Sequence, residues 1–169
     1  MGVKAREFVL DRRLRIKAIK DVVYEYANLM AAAYYSMHGD APWRTNCDDA
    51  FLLGCRKLGD FLRKDKRSKR DDVWALDYLP TNATPTWELP IWTTEWRNAM
   101  NKQLAHITYF RDKEWIHSMW VPKLELEFNK AWWDFRETIA NKDYSGEFDT
   151  QLAFCEDKGG FGNIGLRRR

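Results

Sequence analysis

No stretch of this chain approaches the ~18 consecutive apolar residues that a membrane-spanning helix needs. Charged residues interrupt every apolar run of the opening MGVKAREFVLDRRLRIK, so neither a signal peptide nor a membrane anchor is expected there. Arg6 stands where a myristoylation signal wants Ser or Thr. Cysteine is scarce: Cys47, Cys55 and Cys155 are odd in number and lack Cys-x-x-Cys spacing. A chain of this size has no need of a disulfide framework, and a reducing, cytoplasmic setting is expected. Glycine-rich phosphate loops, zinc quartets and Gly-x-Ser-x-Gly elbows do not occur, which removes several common enzyme classes and leaves no cofactor or metal to expect.

What is present suits one folded domain. Apolar residues make up 45% and charged residues 31% of 169, a balance unlike that of disordered chains. Nine Trp, nine Phe and seven Tyr are many. Most are expected in the core, with a remainder for a partner surface or groove. The net charge of +3 hides local clustering. Segment 1–20 carries seven basic residues, and Arg56, Lys57, Arg63, Lys64, Lys66, Arg67, Lys69 and Arg70 face only Asp60 and Asp65.

Helical periodicity dominates. Ile16, Ile19, Val23, Tyr26, Met30, Ala33 and Met37 step by threes and fours, the stripe of one long helix that ends at Gly39, a residue able to adopt a left-handed cap, and Pro42. Thr45 and Asp48 resemble a capping box opening a helix over 46–63, where Gly54 and Gly59 imply close helix contacts. A short helix is predicted over 71–79, then an ordered irregular loop over 80–90 that Trp87 and Trp92 pin to the core. Thr93 or Thr94 caps a helix reaching to about Phe110, and Val121, Leu124, Phe128, Ala131, Phe135 and Ile139 stripe another over 119–140. Asp143-Tyr144-Ser145-Gly146 reads as a turn, and the glycines and terminal arginines of 157–169 read as a mobile tail unless a partner orders it. The expectation is an all-α antiparallel bundle of four main helices plus one short helix, forming a single domain over 1–156 with an irregular tail.

Few residues offer chemistry. Glu114 and His117 have the spacing used by di-iron bundles, but no second such pair exists, so a surface or capping histidine is expected. His106 lies between Leu104 and Ile107. It is either a core-edge histidine bonded to Asn or Tyr from another helix or an acid–base group working near neutral pH. The run Lys64 to Arg70 is either a solvated loop or a phosphate-binding segment, the latter through Lys64, Lys66, Arg67, Lys69 and Arg70, joined by Lys102.

The stretches FLLGCRKLGDFLRKDKRSKRDDVWALDYL and NKQLAHITYFR resemble a group of uncharacterised bacterial all-helical proteins and, more distantly, the HEPN superfamily of nucleotide- and RNA-associated helical bundles. The likeness covers roughly 47–111. HEPN ribonucleases use an Arg followed by a polar residue and then a His a few positions on, cutting RNA without metal. Here Arg97-Asn98 is followed by His106 after eight intervening residues, which puts the two on opposite faces of a straight helix. Asn101 keeps the family spacing to His106 without the cation, and Arg111 offers one beyond it. The resemblance implies a non-catalytic or weakly catalytic domain that binds a protein or RNA partner in bacterial defence or regulation. Its alternative is a metal-independent endoribonuclease with His106 as acid–base group and Arg97 or Arg111 on phosphate. Dimerisation is frequent in that superfamily, so a homodimer is also implied.

Overall fold

The first α-helix, α1 (Arg12–His38), begins where the Asp11 carboxylate accepts the Leu14 N–H at 2.8 Å. In this computed structural model residues 11–40, 43–64, 72–80, 82–105, 120–158, 160, 161, 164 and 166 are described, with backbone alone at Trp43, Thr45, Ala99 and 101–105. The expected stripe of α1 is buried at Ile19, Val23, Tyr26, Met30 and Ala33, while Ile16 and Met37 pack half-buried at its ends. Gly39 stops the helix in an extended conformation (φ −78°), not the left-handed cap expected of it, and its N–H bonds the Tyr35 carbonyl at 2.7 Å. A Cβ at Gly39 would run into that same carbonyl oxygen, which is why glycine stands here.

Helix α2 (Trp43–Leu62) starts earlier than the predicted 46. Thr45 therefore lies inside it, and Asp48 is used differently from a capping residue: its carboxylate accepts the Ser36 hydroxyl of α1. Contacts fix the direction of α2. Ser36 meets Asp48, Leu29 lies against Gly54, and Glu25 pairs with Lys57 at 2.6 Å, so α2 descends as α1 ascends. A Cβ on Gly54 would come within 3.0 Å of Leu29 Cδ1, which confirms the close helix contact expected there.

The short helix predicted over 71–79 is a single 3-10 turn, Ala75–Tyr78. It stops because Leu79 precedes Pro80, which forces an extended backbone on it. Tyr78 is buried, and its hydroxyl donates to the Arg15 carbonyl at 3.1 Å. Burial first, then the neighbouring Asp77 carboxylate, pushes its pKa up, so the phenol stays a donor.

Helix α3 (Thr94–Ala105) is capped by the Thr93 hydroxyl, which accepts the Trp96 N–H at 3.3 Å. The rest of its expected course, to Phe110, lies outside the described residues. Helix α4 (Val121–Thr138) carries Pro122 in its first turn, where the missing N–H costs nothing. Its predicted stripe, from Val121 to Ile139, is buried throughout. Tyr26 stacks on Trp132 at 4.3 Å, and the Asn129 side-chain amide donates to Met30 Sδ at 3.8 Å. These pairs set α4 antiparallel to α1.

The main correction is α5 (Lys142–Asp157), which occupies the segment read as a turn and the start of a tail. Asn141 caps it by accepting the Asp143 N–H at 2.9 Å, and Tyr144, Phe148 and Cys155 are buried. One helical glycine costs ~1 kcal/mol against alanine, whereas burying a large apolar side chain is worth about 1.5–3 kcal/mol. Two aromatic rings therefore outweigh Gly146. That glycine is exposed, with nothing within 4 Å of a Cβ placed on it. Gly146→Ala is expected to stabilise the protein by up to ~1 kcal/mol in urea unfolding, and a loss of stability would contradict a helix at this position.

Helix α1 is the hub, packing on α2, α4 and α5. The short link 139–141 turns α5 antiparallel to α4, and α3 lies against α2. The result is an all-α bundle, without strands among the described residues, and α5 is a helix beyond the four main ones expected from sequence. Among the described residues beyond α5, Ile164 and Leu166 are buried, and the Tyr26 hydroxyl donates to the Leu166 carbonyl at 3.2 Å.

Candidate nucleic-acid interface

At the end of α2 the chain must pass from a helix into the basic run, and the last carbonyls of the helix need donors. Trp87, fully buried, supplies one: its indole N–H donates to the Leu62 carbonyl at 2.8 Å. The Arg63 carbonyl receives the indole N–H of Trp74. Both tryptophans thus hold the loop ends against α2, as expected of Trp87 from sequence.

Trp92 also packs on the core, as expected from sequence. Its ring lies directly over Gly59, where a Cβ would overlap the indole, and meets Phe128 edge-on at 5.7 Å. The close contact foreseen for Gly59 is therefore with a loop indole, not with a helix. Seated there, the half-buried Trp92 walls a cleft of ≈ 240 Å³ between the end of α2 and the start of α3. Leu62, Leu89 and the two indoles make its apolar side, while Arg63, Lys64, Thr94 and Arg97 make its polar side. Among the described residues, three cations and no carboxylate line the cleft. The N-terminus of α3 adds partial positive charge near Thr94, offset in part by Glu95 in the same turn.

Arg97 is held by an acid just behind the lining: its Nη2 donates to Asp60 Oδ1 at 2.8 Å. The side chains are 26% and 30% exposed, so water screens the pair. Lys64 is exposed. Such an arrangement can hold an anion against cations with a planar or apolar group on the indole side, which is the chemistry of a nucleotide chain.

Of the residues singled out from sequence, Arg97 and Lys64 are brought together, from segments far apart in the chain. Asn101 and Lys102 lie on α3, and their side chains fall outside the described residues, as do His106, Arg111, Lys66, Arg67, Lys69 and Arg70 altogether. The basic cluster of 56–70 divides: Lys57 turns to Glu25 of α1, whereas Arg63 and Lys64 turn to the cleft. Sequence reasoning missed Asp60 as the partner of Arg97 and Trp92 as the cleft wall. The only signal for the latter was a glycine inside a helix facing a tryptophan-rich loop.

Other reactive groups offer less. All three cysteines are free, and burial raises the thiol pKa of Cys47, Cys55 and Cys155, with Asp48 adding to the effect at Cys47. None is an activated thiolate. A second hollow, ≈ 210 Å³, lies where Val22, Leu58, Phe61 and Val73 are flanked by Asp21 and the Glu25–Lys57 pair. It is apolar, with acids at its rim. No helix among the described residues is long and apolar enough to cross a membrane. No protein family, curated protein or solved structure matches the chain.

Proposed function

We propose that this chain is a non-catalytic helical domain that binds single-stranded RNA through the cleft between α2 and α3. The observation that carries the reading is the meeting of Arg63, Lys64 and Arg97 with the Trp92 ring in one concave surface. Cations favour the phosphates, and the half-buried Trp92 ring offers apolar contact to unstacked bases, which a duplex does not present. Lys64 is also the first residue of the basic run Lys64-Asp65-Lys66-Arg67-Ser68-Lys69-Arg70. Binding of this kind needs no acid–base group. A ribonuclease of the HEPN type needs one, His106 in the sequence reading, together with an arginine on the same phosphate.

The test is fluorescence anisotropy of a short labelled oligouridylate with the full chain, in chelator. Binding is expected, and Lys64→Gln and Arg97→Gln are each expected to weaken it severalfold. Binding indifferent to both substitutions would remove the cleft from the reading. The same samples run on a gel report cleavage. Intact RNA is expected, and cleavage lost in His106→Ala would replace the binding reading with the endoribonuclease.

A further inference from the structure

Among the described residues three positive side chains line the cleft, and a carboxylate engages Arg97. Asp60 sits on α2 one turn before Lys64 and accepts from Arg97 Nη2 at 2.8 Å, while only Arg97, and not Asp60, reaches the lining. A carboxylate and a phosphate present the same kind of oxygen to a guanidinium. We propose that Asp60 is a built-in competitor, a carboxylate that occupies Arg97 when the cleft is empty and sets a ceiling on the affinity of the RNA proposed above, on which this inference rests.

The physical case is a comparison of two anions at one cation. Both partners of the Asp60–Arg97 pair are about a third exposed or less, at 30% and 26%. An ion pair of that exposure is weak enough for an incoming phosphate to break. A phosphate that displaces Asp60 must nevertheless forgo the free energy of the pair, and one that shares Arg97 with it lies beside a negative charge. In either case the carboxylate subtracts from binding. It also keeps Arg97 in place without RNA, because Asp60 is fixed on a helix whose neighbours Phe61 and Leu62 are buried. Such an arrangement suits a protein that must let its RNA go.

Asp60→Asn keeps the shape and an acceptor oxygen for Arg97 while removing the charge. It is expected to raise oligouridylate affinity by up to about fivefold at low salt, the equivalent of a weak exposed pair. The slope of log affinity against log salt should steepen by about 0.7, one further phosphate contact on a single strand. Asp60→Ser, which removes both charge and reach, should raise affinity in the same direction. In an Arg97→Gln background the gain should vanish, because the competitor then has nothing to occupy. Unchanged or weaker binding by both Asp60 variants would overturn the proposal, as would a gain of equal size with Arg97 replaced. Those results leave RNA binding by the wild type standing. Failure of the wild type to bind RNA at all brings down the function proposed above instead.

Discussion

Phe135→Ala is expected to cost about 3–5 kcal/mol of folding stability. The ring is fully buried and sits at the centre of an aromatic knot: Phe61 lies at 5.2 Å, Trp87 at 5.4 Å, Phe148 at 5.6 Å, Trp132 at 5.9 Å and Tyr78 at 6.4 Å. Those partners come from α2, the 82–93 loop, α5, α4 itself and the 3-10 turn, so one truncation opens a cavity facing all of these segments. Rigid rings collapse poorly into such a space, which places the cost toward the upper end of the range. For a chain of this size the melting temperature should fall by roughly 10 °C. A loss under about 1 kcal/mol in urea unfolding, within the range of ordinary surface changes, would show that the knot is not the centre of the core.

Gly59→Leu has the next largest expected effect, and it acts on stability and on the cleft together. Helix propensity favours leucine over glycine by nearly 1 kcal/mol. Against this, even a single carbon at this position overlaps the Trp92 indole, and leucine adds three more. The ring is held edge-on to Phe128 and cannot move without breaking that contact. Overpacking of this kind costs typically about 1–3 kcal/mol, so the net change is a destabilisation of about 1–2 kcal/mol. Because Trp92 is also the cleft wall, oligouridylate affinity should fall in the protein that remains folded. A variant as stable as the wild type that binds RNA equally well would mean that Trp92 does not shape the site.

How much of this was legible in the sequence varied by element, for physical reasons. The stripes of α1 and α4 were readable because each has one buried face and apolar side chains recur there at the helical period. Helix α5 escaped notice although Tyr144, Phe148, Leu152 and Cys155 carry the same spacing, since Ser145 and Gly146 suggested a turn and their exposure is a tertiary fact. Gly54 and Gly59 announced close approaches, but not what approaches: a leucine and an indole respectively. The site was least legible. Lys64 and Arg97 were each marked as phosphate ligands, and nothing local says that one loop tryptophan folded over Gly59 brings them to the same cleft.

The pairing of Arg97 with Asp60 illustrates the limit of charge counting. From sequence, Asp60 was one of two acids diluting a basic run. In the fold it faces the one arginine of α3 that the cleft uses. Local charge counting therefore misses both the cation that α3 brings to the cleft and the carboxylate that engages it, and it overstates the positive charge of the helix surface, where Lys57 pairs with Glu25.

Salt dependence gives the most direct test of the central claim, that cations converging on this cleft hold a nucleic-acid backbone. Oligouridylate affinity of the full chain is to be measured over a series of salt concentrations, beside Arg97→Gln. The prediction is a linear fall of log affinity with log salt, with about 0.7 of slope for each phosphate contacted and a shallower line for the variant. Affinity that holds level as salt rises, or a variant line parallel to the wild type, would contradict it.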